Sequence, residues 1–228
     1  MKTVYCVIPG KKVTTILWAG KNGNMKLAEN GSHIIQTFHF DNSQVGAVLL
    51  SGTYSYTDAN NCLSCPFSAS NNAGNAGKCY THKFHSRMAQ KSVIKSAFQK
   101  GITLNEFLEK TQNVKYVRFG AYGEPVLMEL ALIKKLADGR KFTGYTHTWR
   151  TVEPAYMNFF MASVHSEQEY LQAKNMGYRS YWADDVTTKE LLPKTVIYCP
   201  NFTKKIPCSE CGLCNGAGKA RSIFHPIH

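Results

Sequence analysis

Acidic residues are scarce in this chain: of its 228 residues only 15 are Asp or Glu, against 27 Lys or Arg, so the formal net charge is +12. Charged residues amount to 18%, which is below the quarter typical of soluble domains. Few charges with so strong a bias in sign indicate an anionic partner, either a nucleic acid or a phosphorylated small molecule.

Long apolar runs are also absent. None reaches the length of a membrane span, and Pro9, Gly10, Lys11 and Lys12 interrupt the apolar region that a secretory signal would need. The 43% of hydrophobic residues nevertheless exclude a disordered chain. We therefore expect a cytoplasmic protein without membrane partners, built as one domain or at most two small ones.

The most informative feature of the sequence is its eight cysteines. In a reducing cytoplasm, clustered cysteines bind metal more often than they form disulfides. Cys6 stands alone in an apolar run and is expected to be a small buried side chain. The other seven form a first group of Cys62, Cys65 and Cys79, and a second group of Cys199, Cys208, Cys211 and Cys214.

The second group contains four thiols, three of them at x2 spacing. Gly212 permits the backbone turn that points their sulfurs inward. Four thiolates fit either a [4Fe–4S] cluster or a structural zinc ion. The C-x2-C-x2-C run favours the cluster, because zinc ribbons usually offer two separated C-x2-C pairs, but both remain open.

The first group contains three thiols, with a polar, turn-prone loop before Cys79. On a four-iron cluster, three thiolates leave one iron open to an outside ligand. On zinc, they leave a position for water or for a nearby histidine, His82 or His85. Because chemistry needs an open position, this group is the predicted reactive site.

The rest of the chain predicts an α/β fold. Strands are expected over 4–8, 13–18, 33–40 and 45–50, giving a strand-rich segment 1–50 before the cluster loop 58–82. Helices are expected over 83–100, with Met88, Ile94, Ala97 and Phe98 near one face, and over 104–110 with a cap at Thr103 or Asn105. Strands at 114–119, 141–147, 160–164, 179–183 and 195–198 then alternate with helices at 126–137, 154–160, 166–176 and 188–192. This alternation predicts a partial (β/α) barrel over 1–198, followed by a cysteine-rich tail over 199–228.

In such a sheet, ligands bind at the carboxyl ends of the strands. Polar and aromatic side chains follow four predicted strands there, and the cysteine loop precedes them, so we expect all of them to face one mouth. They are Gly120, Tyr122, Gly123 and Glu124; Thr146, His147 and Trp149; Ser163, His165 and Ser166; and Trp182, Asp184 and Asp185.

A three-cysteine loop followed by a helix, a strand and the segment Val117-Arg-Phe-Gly-Ala-Tyr-Gly-Glu-Pro125 resembles the radical S-adenosylmethionine (SAM) enzymes. The resemblance implies that the first group holds a [4Fe–4S] cluster whose open iron binds SAM. It also implies that Gly123 and Glu124 contact the methionine ammonium and that SAM is cleaved reductively. Most members space these cysteines C-x3-C-x2-C, whereas this chain has C-x2-C-x13-C. Further cofactor contacts are predicted at Tyr80, Arg118, Thr146, His147, Ser163, His165 and Trp182.

More narrowly, the chain resembles uncharacterised radical-SAM-like proteins encoded largely by bacteriophages. The similar segments are 23–27, the loop 65–80, 118–123, 143–149, 161–164 and the tail 199–214. This resemblance implies a place in the host cytoplasm, an electron donor such as flavodoxin or ferredoxin, and an unknown substrate that the basic charge predicts to be anionic.

Three hypotheses follow. The first is a radical SAM enzyme with an auxiliary cluster at the second group, for electron relay or for stapling the tail. The second is a metal-stapled module on a degenerate radical SAM scaffold that binds nucleic acid through basic residues of the helix over 83–100 and of the tail. These residues are Lys83, Arg87, Lys91, Lys95 and Lys100 on the helix, and Lys204, Lys205, Lys219 and Arg221 on the tail. The third is a two-cluster electron-transfer protein. Purely structural explanations of single residues also stay open. They are a helix-terminal charge for Glu124, a half-buried structural histidine for His147, core packing for Trp182, and no role for His225 or His228.

Overall fold

The structure is a computed structural model of a mixed α/β protein with two five-stranded sheets. It describes residues 1–54, 57–72, 79, 81, 84–184, 192–217 and 220–226. The α/β class expected from the alternating pattern is confirmed. No helix among these residues has the length and apolar character needed to cross a bilayer.

The first sheet combines antiparallel and parallel strands in the order β1-β2-β3-β4-β5. β1 to β3 form an antiparallel meander, while β3, β4 and β5 run parallel. The strands are β1 (Val4–Pro9), β2 (Val13–Lys21), β3 (His33–Asp41), β4 (Tyr116–Tyr122) and β5 (Lys141–Thr143). The predicted strands over 4–8, 13–18 and 33–40 are thereby confirmed.

The second sheet is entirely parallel, in the order β6-β7-β8-β10-β9. Its strands are β6 (Tyr145–Thr146), β7 (Met161–Val164), β8 (Ser180–Asp184), β9 (Val196–Tyr198) and β10 (Ser222–Pro226). The single strand predicted over 141–147 is divided between the sheets at Gly144. A Cβ atom there would lie 2.7 Å from the Phe160 ring, so only glycine lets the chain pass at this point.

Eight helices accompany the sheets in the described residues: α1 (Asn42–Leu50), α2 (Ala59–Cys62), α3 (Phe84–Lys100), α4 (Leu104–Lys110), α5 (Leu130–Ala137), α6 (Glu167–Asn175), α7 (Pro200–Lys204) and α8 (Cys208–Cys211). Thr103 and Glu106 form a capping box on α4, and Ser166 caps α6, so these two predicted starts are confirmed. The helix expected over 188–192 lies largely outside the described residues.

The strand predicted over 45–50 is wrong, because these residues form most of α1. Asp41 caps this helix by accepting a hydrogen bond from the Ser43 N–H. Val45 and Val48, three residues apart, are both buried on one helical face. An apolar run this short carries no clear periodicity, and the cap decides its conformation.

Three helix predictions need smaller corrections. The helix expected over 126–137 begins as a single 3-10 turn, Pro125–Leu127, and α5 follows it. The helix expected near 154–160 is a 3-10 turn, Pro154–Asn158. On α3, Ile94 and Ala97 are buried as predicted, whereas Met88 and Phe98 are 48% and 45% exposed.

Separate hydrophobic cores lie against each sheet. Leu17, Ile35 and Val117 of the first sheet pack with Phe107 of α4 and Ile133 of α5. In the second sheet, side chains of β7, β8 and β10 pack with α6; they are Ala162, Val164, Trp182 and Phe224, with Tyr170 and Ala173. Each fully buried Leu, Ile or Phe contributes about 1.5–3 kcal/mol, so this packing holds the strand ends that carry the site.

The end of the chain belongs to the second sheet. β10 lies between β8 and β9, so residues 222–226 complete the sheet instead of forming part of a separate tail after residue 198. His225, for which no role was expected, is buried on this strand, and its Nε2 accepts a 3.1 Å hydrogen bond from Lys26 Nζ.

Candidate functional site

The first cysteine group begins on a short helix. α2 ends at Cys62, whose N–H donates to the Asp58 carbonyl at 2.8 Å. Leu63 then takes a left-handed φ of 45°, and the Cys65 N–H donates back to the Cys62 carbonyl at 2.9 Å. This turn brings two of the thiols together. The third, on Cys79, lies 2.8 Å from the Thr81 hydroxyl.

Asp58 closes this loop, a role that its sequence context did not indicate. Its carboxylate is fully buried and accepts hydrogen bonds from the Ala69 and Ser70 N–H groups, each at 2.8 Å. The Ser70 hydroxyl adds a third hydrogen bond at 2.5 Å. The chain beyond Cys65 is therefore anchored back to the start of α2.

The first group is a poor place for free thiolates. Burial raises the pKa of Cys62 far above its usual range, and the negative charges of Asp58, Cys65, Cys79 and Glu124 raise it further. Burial also raises the pKa of Cys79, against hydrogen bonds from Thr81. A bound cationic centre would reverse this penalty, because it stabilises every thiolate at once.

The Gly123–Glu124 turn contacts the helix that carries Cys62. The Glu124 N–H donates to the Asn61 carbonyl at 2.7 Å. Gly123 has a φ of +75°, and a Cβ atom there would lie 2.6 Å from the His39 carbonyl oxygen and 3.0 Å from that of Asn61. Only glycine allows this approach, so two motifs far apart in the sequence meet directly.

Glu124 is 3% exposed, and its carboxylate accepts three hydrogen bonds from the end of β6. The donors are the Thr146 hydroxyl at 2.5 Å to Oε2, and the N–H and Nδ1 of His147 at 3.1 Å and 2.9 Å to Oε1. It makes no side-chain cap to the following 3-10 turn. Glu124 therefore lies at the start of a helical turn with Pro125 as its first residue, as expected, but its carboxylate is engaged by Thr146 and His147.

His147 connects Glu124 to the first cysteine group. Its Nε2 lies 3.1 Å from His165 Nε2 and 3.8 Å from Cys65 Sγ. His165 Nδ1 donates to the Ala183 carbonyl at 2.9 Å, which leaves His165 Nε2 as an acceptor and requires a proton on His147 Nε2. His147 Nδ1 also faces a carboxylate, so His147 is doubly protonated.

The environment of each ring agrees with this assignment. Burial lowers the pKa of His147, but the hydrogen bonds to Cys65 and Glu124 and the negative charges of these two residues together outweigh burial and raise that pKa to about 10. Burial lowers the pKa of His165, which keeps this ring neutral. The histidine beside the first group is therefore His147. Of the two expected there, His85 is exposed and His82 lies outside the described residues.

The four cysteines of the second group lie within electrostatic reach of one another, with Cys199 and Cys214 packed against the second sheet and Cys208 against the first. The Cys199 N–H donates to Phe224 of β10, and the Cys208 N–H donates to the Lys26 carbonyl. The Cys214 carbonyl accepts a 2.8 Å hydrogen bond from Gly144, and Gly212 makes the expected left-handed turn at φ +61°. Burial raises the pKa of Cys214 well above its usual value, and the charges of the other three thiols raise it further.

Arg179 organises this second site. Its guanidinium donates to five backbone carbonyls of the tail, at distances from 2.5 to 3.2 Å; they belong to Leu213, Asn215, Ala217, Ala220 and Arg221. Its positive charge also lowers the pKa of Cys214. Arg179 is not recognisable in the sequence, because a lone arginine at the start of a strand carries no local signal of this role.

The other predicted contacts are dispersed. Arg118 lies with the second group, where its charge lowers the pKa of Cys208. Trp182 is 1% exposed and donates to Asp184 from within the core against α6, as core packing predicts. Ser163 is buried on β7 and its carbonyl accepts from Trp149. Tyr80 lies outside the described residues.

Among the described residues, no group of three or more His, Cys, Asp or Glu side chains is arranged to hold a single metal ion. The chemistry of the donors nevertheless fits iron–sulfur clusters, which are held by thiolates. The charges of Cys65 and Cys79 raise the pKa of Cys62, and those of Cys199, Cys208 and Cys211 raise the pKa of Cys214, so the thiols of each group lie within electrostatic reach of one another.

Comparison of the chain with protein family models, with curated proteins and with solved structures found no match in any of the three.

Proposed function

We propose that this protein is an iron–sulfur enzyme of the radical SAM type, with its reactive cluster held by Cys62, Cys65 and Cys79. The observation that carries the proposal is the 2.7 Å hydrogen bond between the Gly123–Glu124 turn and Asn61, the residue before Cys62. Cys62 and Glu124 would both contribute to holding a cofactor at this cluster, and this contact sets the helix of Cys62 beside the Gly123–Glu124 turn. Nothing local in the sequence brings them together.

A partial (β/α) barrel is the scaffold that we propose for this site. Only Gly144 separates β5 from β6, and its carbonyl accepts from the Met161 N–H of β7, so the parallel order continues across the two sheets. Glu124, His147 and His165 follow β4, β6 and β7. Residues at the carboxyl ends of parallel strands are where ligands bind in such folds.

When bound, a reduced [4Fe–4S] cluster with an open iron supplies the electron that cleaves SAM and starts radical chemistry. The chain supplies the thiolates and an ammonium acceptor. An ionised carboxylate has about four acceptor positions, and the protein fills three on Glu124, which leaves Oε2 one for a methionine ammonium. His147 holds that carboxylate in place, because its Nδ1 lies 2.9 Å from Oε1.

The second site would hold a further cluster or a zinc ion at Cys199, Cys208, Cys211 and Cys214. Its hydrogen bonds to the chain at Lys26, Gly144 and Phe224 tie the tail to both sheets. A metal there would staple these elements, and an iron–sulfur cluster would also relay electrons from a donor such as flavodoxin or ferredoxin.

One observation favours a second candidate, a metal-stapled binding module on a degenerate scaffold. The His147 imidazolium already faces Glu124 from within the chain, where a SAM ammonium is expected to bind. If the protein itself satisfies this carboxylate, SAM has no place at the site. The same experiment separates the two candidates.

The test is anaerobic purification followed by analysis of iron, sulfide and zinc, and by EPR of the reduced protein with and without SAM. If the protein is this enzyme, we expect about eight iron atoms per chain when the second site holds a cluster, or about four with one zinc ion when it does not, and one EPR signal that SAM shifts. We also expect 5′-deoxyadenosine to form under reduction. Zinc alone, or clusters whose signals SAM leaves unchanged, would overturn the proposal in favour of the module.

A further inference from the structure

The chain contains a long stretch with almost no negative charge. Residues 42–105 include a single acidic residue, Asp58, and its carboxylate is buried in the cysteine loop. This stretch forms α1, α2 and α3 and contains the whole first cysteine group. Apart from the buried Asp58, the charged residues of this stretch are therefore all of one sign.

Cations recur along one flank of α3. Lys91 and Lys95 are one helical turn apart, which places their side chains on the same side about 6 Å apart along the axis. Lys95 is exposed, and its Nζ lies 3.8 Å from the position of a Cβ atom on Gly52, just beyond the end of α1. Among the described residues, neither lysine takes part in an ion pair.

An aromatic ring stands beside these cations. Phe98 follows Lys95 by one turn and is 45% exposed, although the neighbouring Ile94 and Ala97 are fully buried. Exposed rings placed among cations provide the stacking platform and the phosphate contacts that single-stranded nucleic acids use. We call Lys91, Lys95 and Phe98 the α3 flank.

The α3 flank starts next to the first cysteine group. Gln90, the residue before Lys91, donates from its side chain to the Thr81 carbonyl at 3.1 Å. The Thr81 hydroxyl in turn lies 2.8 Å from Cys79 Sγ. The end of the flank at Lys91 is thus connected to Cys79 through Gln90 and Thr81.

We propose that the α3 flank binds single-stranded nucleic acid and presents one of its nucleotides to the first cysteine site. The substrate class rests on the proposed function, whereas the binding surface does not. A single strand is specified because the site is buried, and a base can reach such a site only outside a duplex stack. A lipid surface is the poorer fit, since an interfacial helix exposes a continuous apolar face, and on α3 that face is buried against the sheet.

The test measures binding of the anaerobically purified full chain to labelled thymidine and uridine homopolymers by fluorescence anisotropy over a range of salt. The test variant is Lys91→Gln with Lys95→Gln. The matched control is Lys134→Gln with Lys135→Gln, which removes two exposed lysines from α5.

Loss of two phosphate contacts should lower the slope of log affinity against log salt by about 1.4 and weaken binding about 25-fold at 0.1 M salt. The control variant should match the wild type. A Phe98→Ala variant should weaken binding with no change in slope, because stacking releases no counterions. The DNA and RNA arms identify which strand is preferred.

Equal binding by the two double variants would overturn the proposal. Tighter salt-dependent binding to phosphatidylserine vesicles than to either homopolymer would overturn it in favour of a membrane surface. Failure of the proposed function is detected separately. If the chain binds the homopolymers through the α3 flank but does not cleave SAM, the nucleic-acid surface is supported and the radical SAM proposal is wrong. If the chain cleaves SAM but does not bind the homopolymers, the radical SAM proposal is supported and the nucleic-acid surface is wrong.

Discussion

The two cysteine sites differ in the charges that the fold places around them. The first has three thiols beside the carboxylates of Asp58 and Glu124, which raise the pKa of Cys62. The second has four thiols beside Lys26, Arg118 and Arg179, whose positive charges lower the pKa of Cys208 or Cys214. The four-thiol site thus has basic side chains of the protein beside it. At the three-thiol site, positive charge comes from His147 and from any metal centre that binds there.

The two sites are also organised by opposite groups. Asp58 gathers backbone N–H groups around the first, and Arg179 gathers backbone carbonyls around the second. In each case one buried charge satisfies the polar backbone of an irregular loop, which would otherwise be costly to bury. Each site should therefore be removable without loss of the other.

Replacing the cysteines should have the largest effect. The Cys62→Ser, Cys65→Ser, Cys79→Ser variant should lose the EPR signal that SAM shifts, and all 5′-deoxyadenosine formation, because thiolates are the cluster ligands. The matched Cys208→Ser, Cys211→Ser, Cys214→Ser variant should keep that signal and lose the other cluster. Loss of both signals in either variant would show that the sites are not independent.

Arg179→Gln should destabilise the tail by about 3 kcal/mol, because several buried carbonyls lose a charged donor. The measurement is the urea unfolding free energy, with metal content followed in parallel, and the metal should be lost from the second site alone. Arg150→Gln is the control: Arg150 pairs with Glu169 at the surface, where such a pair contributes about 0–1 kcal/mol. Equal losses in the two variants would contradict the organising role of Arg179.

Gly123→Ala should cost about 2–3 kcal/mol, because it adds a clash to an unfavourable backbone conformation. A Cβ atom at Gly123 would lie 2.6 Å from the His39 carbonyl oxygen. Gly139 has a similar φ of +63° with no atom near that position, so Gly139→Ala should cost only about 1 kcal/mol. Thermal or urea unfolding of the pair isolates the contact between the Gly123–Glu124 turn and the first site.

Asp58→Asn should cost about 2 kcal/mol, because an amide nitrogen cannot accept from a second N–H and leaves one buried donor unpaired. Iron should be lost from the first site and kept at the second, which is the mirror image of the Arg179→Gln result. Iron analysis of the two variants side by side makes this comparison. Unchanged iron at the first site would show that the loop closes without Asp58.

Acid should loosen the first site through His39, which lies beneath Gly123. Burial lowers the pKa of His39 to about 3, and its ring contacts the hydroxyls of Thr15 and Thr37. The unfolded state binds the proton first, so this stability is complete above about pH 6.5 and falls as the pH drops; about 1 kcal/mol is lost by pH 5.5. Urea unfolding at pH 7 and 5.5 measures the loss, and it should shrink in His39→Gln.

The local patterns predicted much of the frame. The alternating and apolar runs located β1 to β3, and the capping residues located α4 and α6. These signals succeed because strand periodicity and helix caps depend on residues within one or two turns. The failures have a common cause, which is that the conformation depends on contacts outside the segment itself. The apolar run of α1 is short and has no periodicity, and residues 222–226 form β10 because they pair between β8 and β9.

The candidate site divides in the same way. The cysteine groups and the Gly123–Glu124 segment were recognisable, because sulfur ligands and a glycine-acid turn are signals of residue type and spacing. Asp58 and Arg179 were not recognised, and neither was the pairing of Glu124 with His147. Their partners lie 11 to 42 residues away along the chain and are joined to them only by folding.

The sequence alone divided seven of the thiols into a group of three and a group of four, because cysteine spacing is a local property of the chain. It also determined the excess of positive charge and the acid-free stretch around α3. The tertiary structure alone decided which charges face which thiols, and that the Gly123–Glu124 turn rests on the helix of Cys62. The physical reason is that parallel strands take their neighbours from distant parts of the chain, so the surroundings of a buried charge are set by strand order and not by spacing.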